Sequence, residues 1–375
     1  MICILTILAM VSYFTVRLIL AIGLHAAPSK QHHKDVPVSI LVAMKNEEDN
    51  VRACLSCLLN QAYDVSLYEI IMIDDRSEDK TYEIAREISK KHANLKVVRT
   101  EMSPDLVNIT TYQGSKKQAL KTGIGVAGGD ILLFTDADCR PGPHWIRSMV
   151  SCFGEDIGVV LGHSPNVGLE NSIAAKLAYM DSLNAAYLAA AAAGVGVYVT
   201  CNGRNLAYRR IIFDQIQGFS KISHSLSGDD DLLVHEVIKN TSWQFVYCTL
   251  NESFVPSYNH FSLVDFFIRK IRHVSASKYY PLKIKLFYSL LYVLTNYGYL
   301  FIGISLLSKS YRWWLLGFAV ILKILADLLY FKAGKRLFDS SSTFYEYLLY
   351  DVVQSLYGIL IFPFSRMKSV KWSRR

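Results

Sequence analysis

Apolar runs of four to six residues alternate with segments of helical periodicity between residue 36 and about residue 170. The runs begin with Val38-Ser-Ile-Leu-Val-Ala43 and recur at 69–73, 95–98 and 131–135, as buried strands do. Between them, helices are predicted after Asn46-Glu-Glu-Asp49, which supplies a helix cap, and again at 77–91 and 116–126. This alternation predicts an α/β domain with a parallel sheet, whose ligands bind at the carboxyl ends of the strands.

Four further stretches approach the length and apolarity of a membrane span: residues 1–24, 286–307, 313–331 and 344–362. The first is interrupted only by Arg17, whose charge we expect to extend toward the membrane surface. It lacks the basic start of a signal peptide, so it predicts an uncleaved anchor. The basic residues at 30–34 then place the following chain in the cytosol. Residues 183–199 are apolar but short, which favours a buried or interfacial segment.

The stretch 344–362 leaves two arrangements open for the end of the chain. It carries Asp351 and Gln354, and the tail at 365–375 that follows it has five basic residues and no acid. A single crossing would put this tail outside, against the positive-inside rule. A re-entrant or in-plane segment would keep it in the cytosol, and we favour this second arrangement.

Composition agrees with a protein that is partly embedded in lipid. Hydrophobic residues make up 51% of the 375 residues and charged residues only 19%, below the usual quarter. The formal charge of +8 is scattered or lies beside apolar segments, and no nucleic-acid-binding motif occurs, so nucleic acid is not an expected partner. The absence of a repeat between two halves disfavours a transporter. The phosphate-binding glycine motifs of ATPases and dehydrogenases do not occur either.

Acidic residues follow two of the predicted strands. Asp74 and Asp75 end the second strand, and Asp136-Ala-Asp138 ends the fourth. Two carboxylates two residues apart can hold one Mg²⁺ or Mn²⁺ together with substrate phosphates. A solvated turn can have the same sequence, so the spacing alone leaves both interpretations open.

Two later segments carry further candidate chemistry. Gly228-Asp-Asp-Asp-Leu232 places three adjacent acids before an apolar helix, where one carboxylate could act as a general base or could face water. Arg269 and Arg272 share one helix face. Two guanidinium groups could bind a diphosphate, or they could belong to a basic amphipathic helix at the membrane surface.

The order of these segments resembles that of a family 2 glycosyltransferase with the GT-A fold, a Rossmann-like mixed α/β sheet flanked by helices. The resemblance covers roughly residues 36–285 and the plan of membrane helices at both ends of the chain. The matching motifs are Val38-Ser-Ile-Leu-Val-Ala-Met-Lys-Asn-Glu47, Ile73-Asp-Asp-Arg-Ser77, Ser115-Lys-Lys-Gln-Ala-Leu120, Asp136-Ala-Asp138, Cys201-Asn-Gly-Arg-Asn-Leu-Ala-Tyr208, Gly218-Phe219, Gly228-Asp-Asp-Asp-Leu232 and Arg269-Lys-Ile-Arg-His273.

The resemblance implies a role for individual residues in these motifs. Asp136 and Asp138 would hold the Mg²⁺ or Mn²⁺ on the sugar diphosphate. The family's Glu-Asp pair matches Asp229-Asp230, so Asp230 would be the general base and Asp229 the alternative. Asp74 and Asp75, at the end of the second strand, would contact the nucleotide base. Further contacts to the nucleotide sugar would come from Glu47, Lys116, Arg269 and Arg272.

The resemblance also implies an activity. It indicates a metal-dependent, inverting hexosyltransferase-type enzyme that moves a sugar from a nucleotide-sugar donor, a UDP-sugar being favoured, to a lipid-linked or glycan acceptor. Processive members of the family carry Gln-(Gln/Arg)-x-Arg-Trp where this chain has Arg269-Lys-Ile-Arg-His273, so non-processive transfer is favoured. A processive polysaccharide synthase and a membrane scaffold without catalysis are the alternatives. Nothing indicates a protein partner.

We therefore expect four regions along the chain. They are an anchor at 1–24, a cytosolic GT-A domain at 36–285 with interfacial helices near 261–280, a membrane region at 286–364, and the basic tail at 365–375. The protein would be integral to the plasma or inner membrane, with its catalytic domain in the cytosol.

Overall fold

A mixed β-sheet organises the part of the chain between the apolar ends in the computed structural model. The structure describes residues 2–27, 32, 35–100, 116–223, 225, 228–307, 313–338 and 340–361. Within these residues, seven strands form the main sheet and two form a small second sheet. The strands are β1 (Val38–Met44), β2 (Tyr68–Asp74), β3 (Leu95–Arg99), β4 (Ile131–Asp136), β5 (Ile157–Gly162), β6 (Asn166–Gly168), β7 (Leu206–Arg209), β8 (Gln244–Cys248) and β9 (Ser257–Asn259).

The main sheet has the strand order β3-β2-β1-β4-β7-β5-β8. β1 pairs in parallel with β2 and β4, and β2 with β3, as the strand–helix alternation predicts. β7 runs antiparallel to both β4 and β5, which makes the sheet mixed. All seven residues of β1 are buried, because helices cover both faces of the sheet. The expected α/β architecture is confirmed.

Twelve α-helices surround and extend this sheet within the described residues. They are α1 (Ile2–Ala26), α2 (Val51–Leu59), α3 (Thr81–Ser89), α4 (Lys116–Gly125), α5 (Trp145–Val150), α6 (Ile173–Gly194), α7 (Arg210–Gln215), α8 (Asp231–Asn240), α9 (Leu263–Ala276), α10 (Leu282–Leu307), α11 (Trp313–Phe338) and α12 (Phe344–Ile361).

Two predicted helix starts are displaced. The helix expected at 77–91 begins only at Thr81, whose backbone N–H donates to the Asp79 carboxylate at 3.0 Å. Asn46 does not cap α2, because it adopts a left-handed backbone with φ of 54° and its amide oxygen accepts the Glu78 N–H at 2.9 Å. Polar side chains therefore join the loops before α2 and α3 instead of capping α2.

Two helices in the described part of the chain are long and apolar enough to cross a membrane. They are Ile4–Ala26, with a mean hydropathy of 2.1, and Trp313–Phe338, with 2.0. The other predicted stretches, 286–307 and 344–362, are also helical and correspond to α10 and α12. The expected connection at 308–312 and the basic tail at 365–375 lie outside the described residues.

The Ala- and Gly-rich stretch at 183–199 lies in the second half of α6 and the loop after it. A Cβ on Gly23 of α1 would lie 2.0 Å from the Ala191 carbonyl oxygen, and one on Gly194 would lie 1.9 Å from the Gly23 oxygen. The backbones of α1 and α6 are therefore in direct contact. Small residues at this crossing explain the composition of the stretch, as in closely packed helix pairs generally.

The expectation that Arg17 extends toward the membrane surface is wrong. Its side chain is 6% exposed and lies 3.4 Å from the Asp327 carboxylate and 3.6 Å from that of Asp351. Lys323 contacts the same two carboxylates, at 2.7 and 3.0 Å. We call these four residues the ionic cluster. Buried charges need partners, and here the partners connect α1, α11 and α12.

Candidate active site

The carboxyl ends of β1, β2 and β4 meet at one edge of the sheet. Met44 at the end of β1 is in register with Asp74 of β2, and Ala43 is in register with Asp136 of β4. Two of the sequence-predicted acids therefore flank the end of the same central strand. This is the edge at which parallel α/β sheets bind ligands.

Lys116 brings two distant acidic segments together at this edge. Its ammonium nitrogen Nζ lies 2.7 Å from Oδ1 of Asp136 and 3.5 Å from Oδ2 of Asp229. The side chains of Lys116 and Asp229 are each only 14% exposed. Burial alone would lower the pKa of Lys116, but these two carboxylates raise it above its usual range. The lysine is charged and joins the start of α4 to the end of β4 and to the loop before α8.

Asp230 lies at the N-terminus of α8 and borders a small pocket. Its carboxylate accepts the backbone N–H of Asp231 at 2.8 Å and that of Gly203 at 2.9 Å. Burial, with the nearby charges of Asp229 and Asp231, raises the pKa of Asp230 to about 7. A carboxyl group with this pKa can accept a proton near neutral pH. The pocket is lined by Lys116, Leu120, Phe134, Thr135, Gly203, Leu206, Tyr208, Asp229 and Asp230.

Asp138 is held from the other side of the site. Its Oδ2 accepts hydrogen bonds from Ser257 at 2.9 Å and from the Asn259 amide at 2.5 Å, both in β9. Burial would raise the pKa of Asp138, but the Arg204 charge and these hydrogen bonds lower it, so the group is ionised. The second oxygen, Oδ1, accepts only the weak donor Cys139 Sγ, at 3.3 Å, among the described residues.

Glu47 faces the two acids that follow β4. Burial, together with the charges of Asp138 and Asp136 and against a hydrogen bond from Asn50, raises the pKa of Glu47 to about 7. Three carboxyl groups thus repel one another at the sheet edge. No group of three metal-ligating side chains is assembled among the described residues. Two carboxylates with substrate phosphates would nevertheless suit Mg²⁺ or Mn²⁺, and a cation would relieve this repulsion.

The acids at the end of β2 are mostly occupied by protein donors. Asp74 is fully buried, and its Oδ2 lies 2.9 Å from Nε of Arg99. Oδ1 of Asp75 accepts from Arg76 and from Thr100, whereas Oδ2 of Asp75 is buried without a hydrogen-bond partner in the described structure. Of this pair, Asp75 therefore has a carboxylate oxygen without a hydrogen-bond partner among the described residues.

The two arginines of α9 approach the site from the side of the apolar helices. The Arg269 guanidinium lies 5.1 Å from the Phe261 ring centroid. Burial lowers the pKa of Arg269, while the charge of Asp138 raises it and those of Arg204 and Arg272 lower it further. These effects put three arginines and Asp138 within electrostatic range of one another. Such a group can neutralise a diphosphate.

Three residues of the site were not singled out from the sequence. Arg204 donates to Asn166 at 2.8 Å and to the Ser164 carbonyl at 3.1 Å, and its charge acts on Asp138. Asn259 binds Asp138, and Tyr280 binds Asp231. Arg204 lies inside a motif that the sequence comparison used, but nothing in the sequence marks Asn259 or Tyr280, because their roles arise from long-range contacts.

Comparison with protein families gives a match over the part of the chain that carries the strand-end acids, and the match ends before α8. Residues 39–216 match the model of the family described as Glycosyl transferase family 2. Glycosyltransferase AglE of Haloferax volcanii is 34% identical over 127 residues, which is 34% of this chain and 38% of that protein. The β-monoglucosyldiacylglycerol synthase of Nostoc sp. is 32% identical over 160 residues, 40% of this chain and 32% of its own. The matches thus span about a third of each relative.

A solved structure matches this chain over nearly its whole length. The mannosyltransferase PcManGT from Pyrobaculum calidifontis, solved with GDP-Man and Mn²⁺, matches 96% of this chain and 99% of its own with a TM-score of 0.55. The sequence identity is 16%, so this likeness shows the fold alone. It agrees with the GT-A architecture.

Proposed function

We propose that the protein moves a sugar from a nucleotide-diphosphate donor to a lipid-linked acceptor at the membrane surface, because residues 39–216 match the model of glycosyl transferase family 2. The contact that carries this proposal is Lys116 between Asp136 and Asp229, at 2.7 and 3.5 Å. It puts Asp136, which is suited to a donor diphosphate, near Asp229, the neighbour in sequence of the proposed base Asp230. A scaffold without catalysis would not need this ionised, largely buried arrangement.

The proposed mechanism is a direct displacement. Asp230 takes the proton of an acceptor hydroxyl, and that oxygen attacks the anomeric carbon opposite the departing diphosphate. Backbone N–H groups of Gly203 and Asp231 orient the carboxylate. Arg269 and Arg272 of α9 stabilise the charge that develops on the diphosphate. A single base and a single displacement imply inversion at the anomeric carbon.

Asp136 and Asp138 would hold a divalent cation when the donor binds. Mg²⁺ or Mn²⁺ would there stabilise negative charge on the diphosphate as a Lewis acid. The charges of both aspartates act on Glu47, so this carboxyl group lies near the proposed cation site. A bound cation would therefore stabilise the ionised form of Glu47. Asp75, whose buried Oδ2 has no hydrogen-bond partner among the described residues, is proposed to contact the nucleotide base, and Asp74 to support that loop.

Nucleotide diphosphate release from a panel of UDP- and GDP-sugars tests this function. We expect purified protein in detergent, with Mg²⁺ or Mn²⁺ and membrane lipid, to release diphosphate from one donor. Asp138→Asn is expected to lower the rate by about 10² or more, because several kcal/mol of charge stabilisation is lost. Asp130→Asn is the matched control, since Asp130 precedes the opposite end of β4 and is exposed.

Two results would contradict different parts of this proposal, the metal role and the transferase activity. Release that withstands both chelation and Asp138→Asn would remove the metal role but keep the transferase. No release with any donor, together with no nucleotide binding, would favour the scaffold. A lipid-linked product carrying one sugar supports non-processive transfer, whereas a long polymer supports a synthase.

We also propose that the protein is integral to the membrane with α12 lying in its plane. Phe344 at the start of α12 packs on Phe331, and Phe338 at the end of α11 contacts His163 of the catalytic domain. At its other end, α12 places Tyr357 against Phe266 of α9, 5.6 Å between ring centroids. Both ends of α12 therefore approach the catalytic domain, which supports a helix that does not cross.

Labelling with a membrane-impermeant maleimide tests this topology. We expect Ser373→Cys in the tail to react from the same side as Ser220→Cys, an exposed position of the catalytic domain. Ser310→Cys, between α10 and α11, should react from the opposite side. If the cysteine at 373 instead reacts together with the one at 310, α12 crosses the membrane and the proposal is wrong.

A further inference from the structure

Asp231, the residue that follows the catalytic candidates Asp229 and Asp230, accepts hydrogen bonds from four protein donors. Its carboxylate accepts from the Tyr198 hydroxyl at 2.9 Å, Thr200 Oγ1 at 3.1 Å, the Cys201 backbone N–H at 2.6 Å and the Tyr280 hydroxyl at 2.5 Å. An ionised carboxylate has about four acceptor sites. Asp231 therefore cannot serve as the base without losing these contacts, and it is bound on all sides by protein donors.

The loop that binds Asp231 also binds Asp230. The Gly203 N–H donates to Oδ2 of Asp230 at 2.9 Å, only two residues after Cys201. The N–H of Asp231 itself donates to Oδ1 of Asp230 at 2.8 Å. A Cβ on Gly203 would lie 2.9 Å from Oδ2 of Asp230, so the loop approaches as closely as a side-chain-free backbone allows. Movement of the 198–203 loop would thus move the donor that binds Oδ2 of Asp230.

Tyr280 extends this network to the apolar helices. It stands just before Pro281 and the start of α10, and its ring packs in a cluster with Val199 and Ile284. Leu282 and Leu286, on the first turns of α10, are exposed apolar residues at this edge. The hydroxyl of Tyr280 thus joins the segment just before α10 directly to Asp231, the first residue of α8.

We propose that Asp231 and Tyr280 are positioning residues: they tie the membrane-side end of α10 to the loop that orients the Asp230 carboxylate. The proposal rests on the proposed function, because it assigns them a part in the same transfer. In this proposal, neither residue contacts the donor or the acceptor. They act through Asp230, and they make its orientation depend on how α10 enters the membrane, where a lipid acceptor would arrive.

Kinetics of Tyr280→Phe in the full-length protein tests the link. We expect kcat to fall about 10-fold, the rate equivalent of one hydrogen bond to a charged group, with the donor Kd unchanged within about 2-fold. Tyr279→Phe makes the same substitution at the preceding residue and should leave kcat unchanged. A wild-type kcat for Tyr280→Phe, or an equal loss in both variants, would overturn the proposal.

The pH profile of Asp231→Asn separates positioning from mere stabilisation. Asp231 is one of the charges that raise the pKa of Asp230, together with Asp229 and against Lys116. Loss of its charge should move the acidic limb of the kcat profile to lower pH, whereas a purely structural defect would lower the amount of active enzyme at every pH. An unmoved limb counts against the proposal.

A double-mutant cycle on unfolding keeps the link testable without any turnover. If the Tyr280 hydroxyl binds Asp231, the shift in unfolding midpoint of Tyr280→Phe with Asp231→Asn should be smaller than the sum of the single shifts. Additive shifts would overturn the link even if sugar transfer is established. Coupled shifts without any donor turnover would keep the contact but reject the proposed function and, with it, the positioning role.

Discussion

Replacing Asp230 with asparagine is expected to lower the transfer rate by about 10²–10⁴-fold, the usual contribution of a general base. Asparagine keeps the size of the side chain and can still accept the Gly203 N–H, so the fold should survive. What is lost is the ability to take a proton from the acceptor. The measurement is kcat with the donor identified from the panel, at saturating acceptor.

The matched control for Asp230→Asn is Glu236→Gln. Glu236 lies on the same helix, α8, and its side chain bonds to Asn240 away from the pocket. The control makes the same change of charge and should retain at least half of the wild-type rate. If Asp230→Asn is as active as the control while Asp229→Asn is inactive, Asp229 is the base.

The pH dependence of this step has a defined sign. Burial and the charges of Asp229 and Asp231 raise the pKa of Asp230 to about 7, and only the deprotonated form can accept the proton. Activity should therefore fall as the pH decreases below about 7. A rate that stays flat to pH 5 would contradict the assignment of Asp230.

Replacing Lys323 with methionine is expected to lower the free energy of unfolding by about 3–5 kcal/mol, the range for removing one partner of a buried ion pair. Lys323 is 6% exposed, and its loss leaves Asp327 and Asp351 to share Arg17 alone. One negative charge is then buried without compensation. The measurement is the unfolding midpoint in detergent, with activity as a second readout.

Two further variants test that interpretation of the ionic cluster. Lys332→Met changes the same residue type on an exposed position of α11 and should shift the midpoint little. Lys323→Met combined with Asp327→Leu restores neutrality, because Arg17 and Asp351 stay as a pair. We expect this double variant to recover most of the loss. A double variant that is less stable than Lys323→Met would show that packing, not charge balance, holds α1, α11 and α12 together.

The local pattern was sufficient to predict most of the sheet. Continuous apolar runs such as Val38–Met44 can only be buried strands when helices flank them, and each run predicted in this part of the chain is a strand. Helix starts were less predictable. Asn46 looks like a helix cap in sequence. In the structure, its side-chain oxygen instead accepts the backbone N–H of Glu78, which lies 32 residues away in the loop before α3.

The candidate site shows the same division. Strand-end acids such as Asp136 could be expected at a binding edge, because parallel strands put their carboxyl ends together. That Lys116 joins Asp136 to Asp229 could not be read from spacing, since the latter two residues lie far apart in the chain. Arg17 was misread for a similar reason: an isolated cation near an apolar end has no visible partner until Asp327 and Asp351 fold against it.

The sequence by itself determined the α/β class, the apolar ends and the family-like order of acidic and basic motifs, because these depend on periodicity and on residues that are neighbours in the chain. Only the tertiary structure decided which carboxylate is saturated and which is available. Asp229, Asp230 and Asp231 are equivalent in sequence, but one meets Lys116, one is held by two backbone N–H groups, and one is occupied by four donors. Hydrogen-bond partners that come from distant segments distinguish them, and those partners exist only in the folded chain.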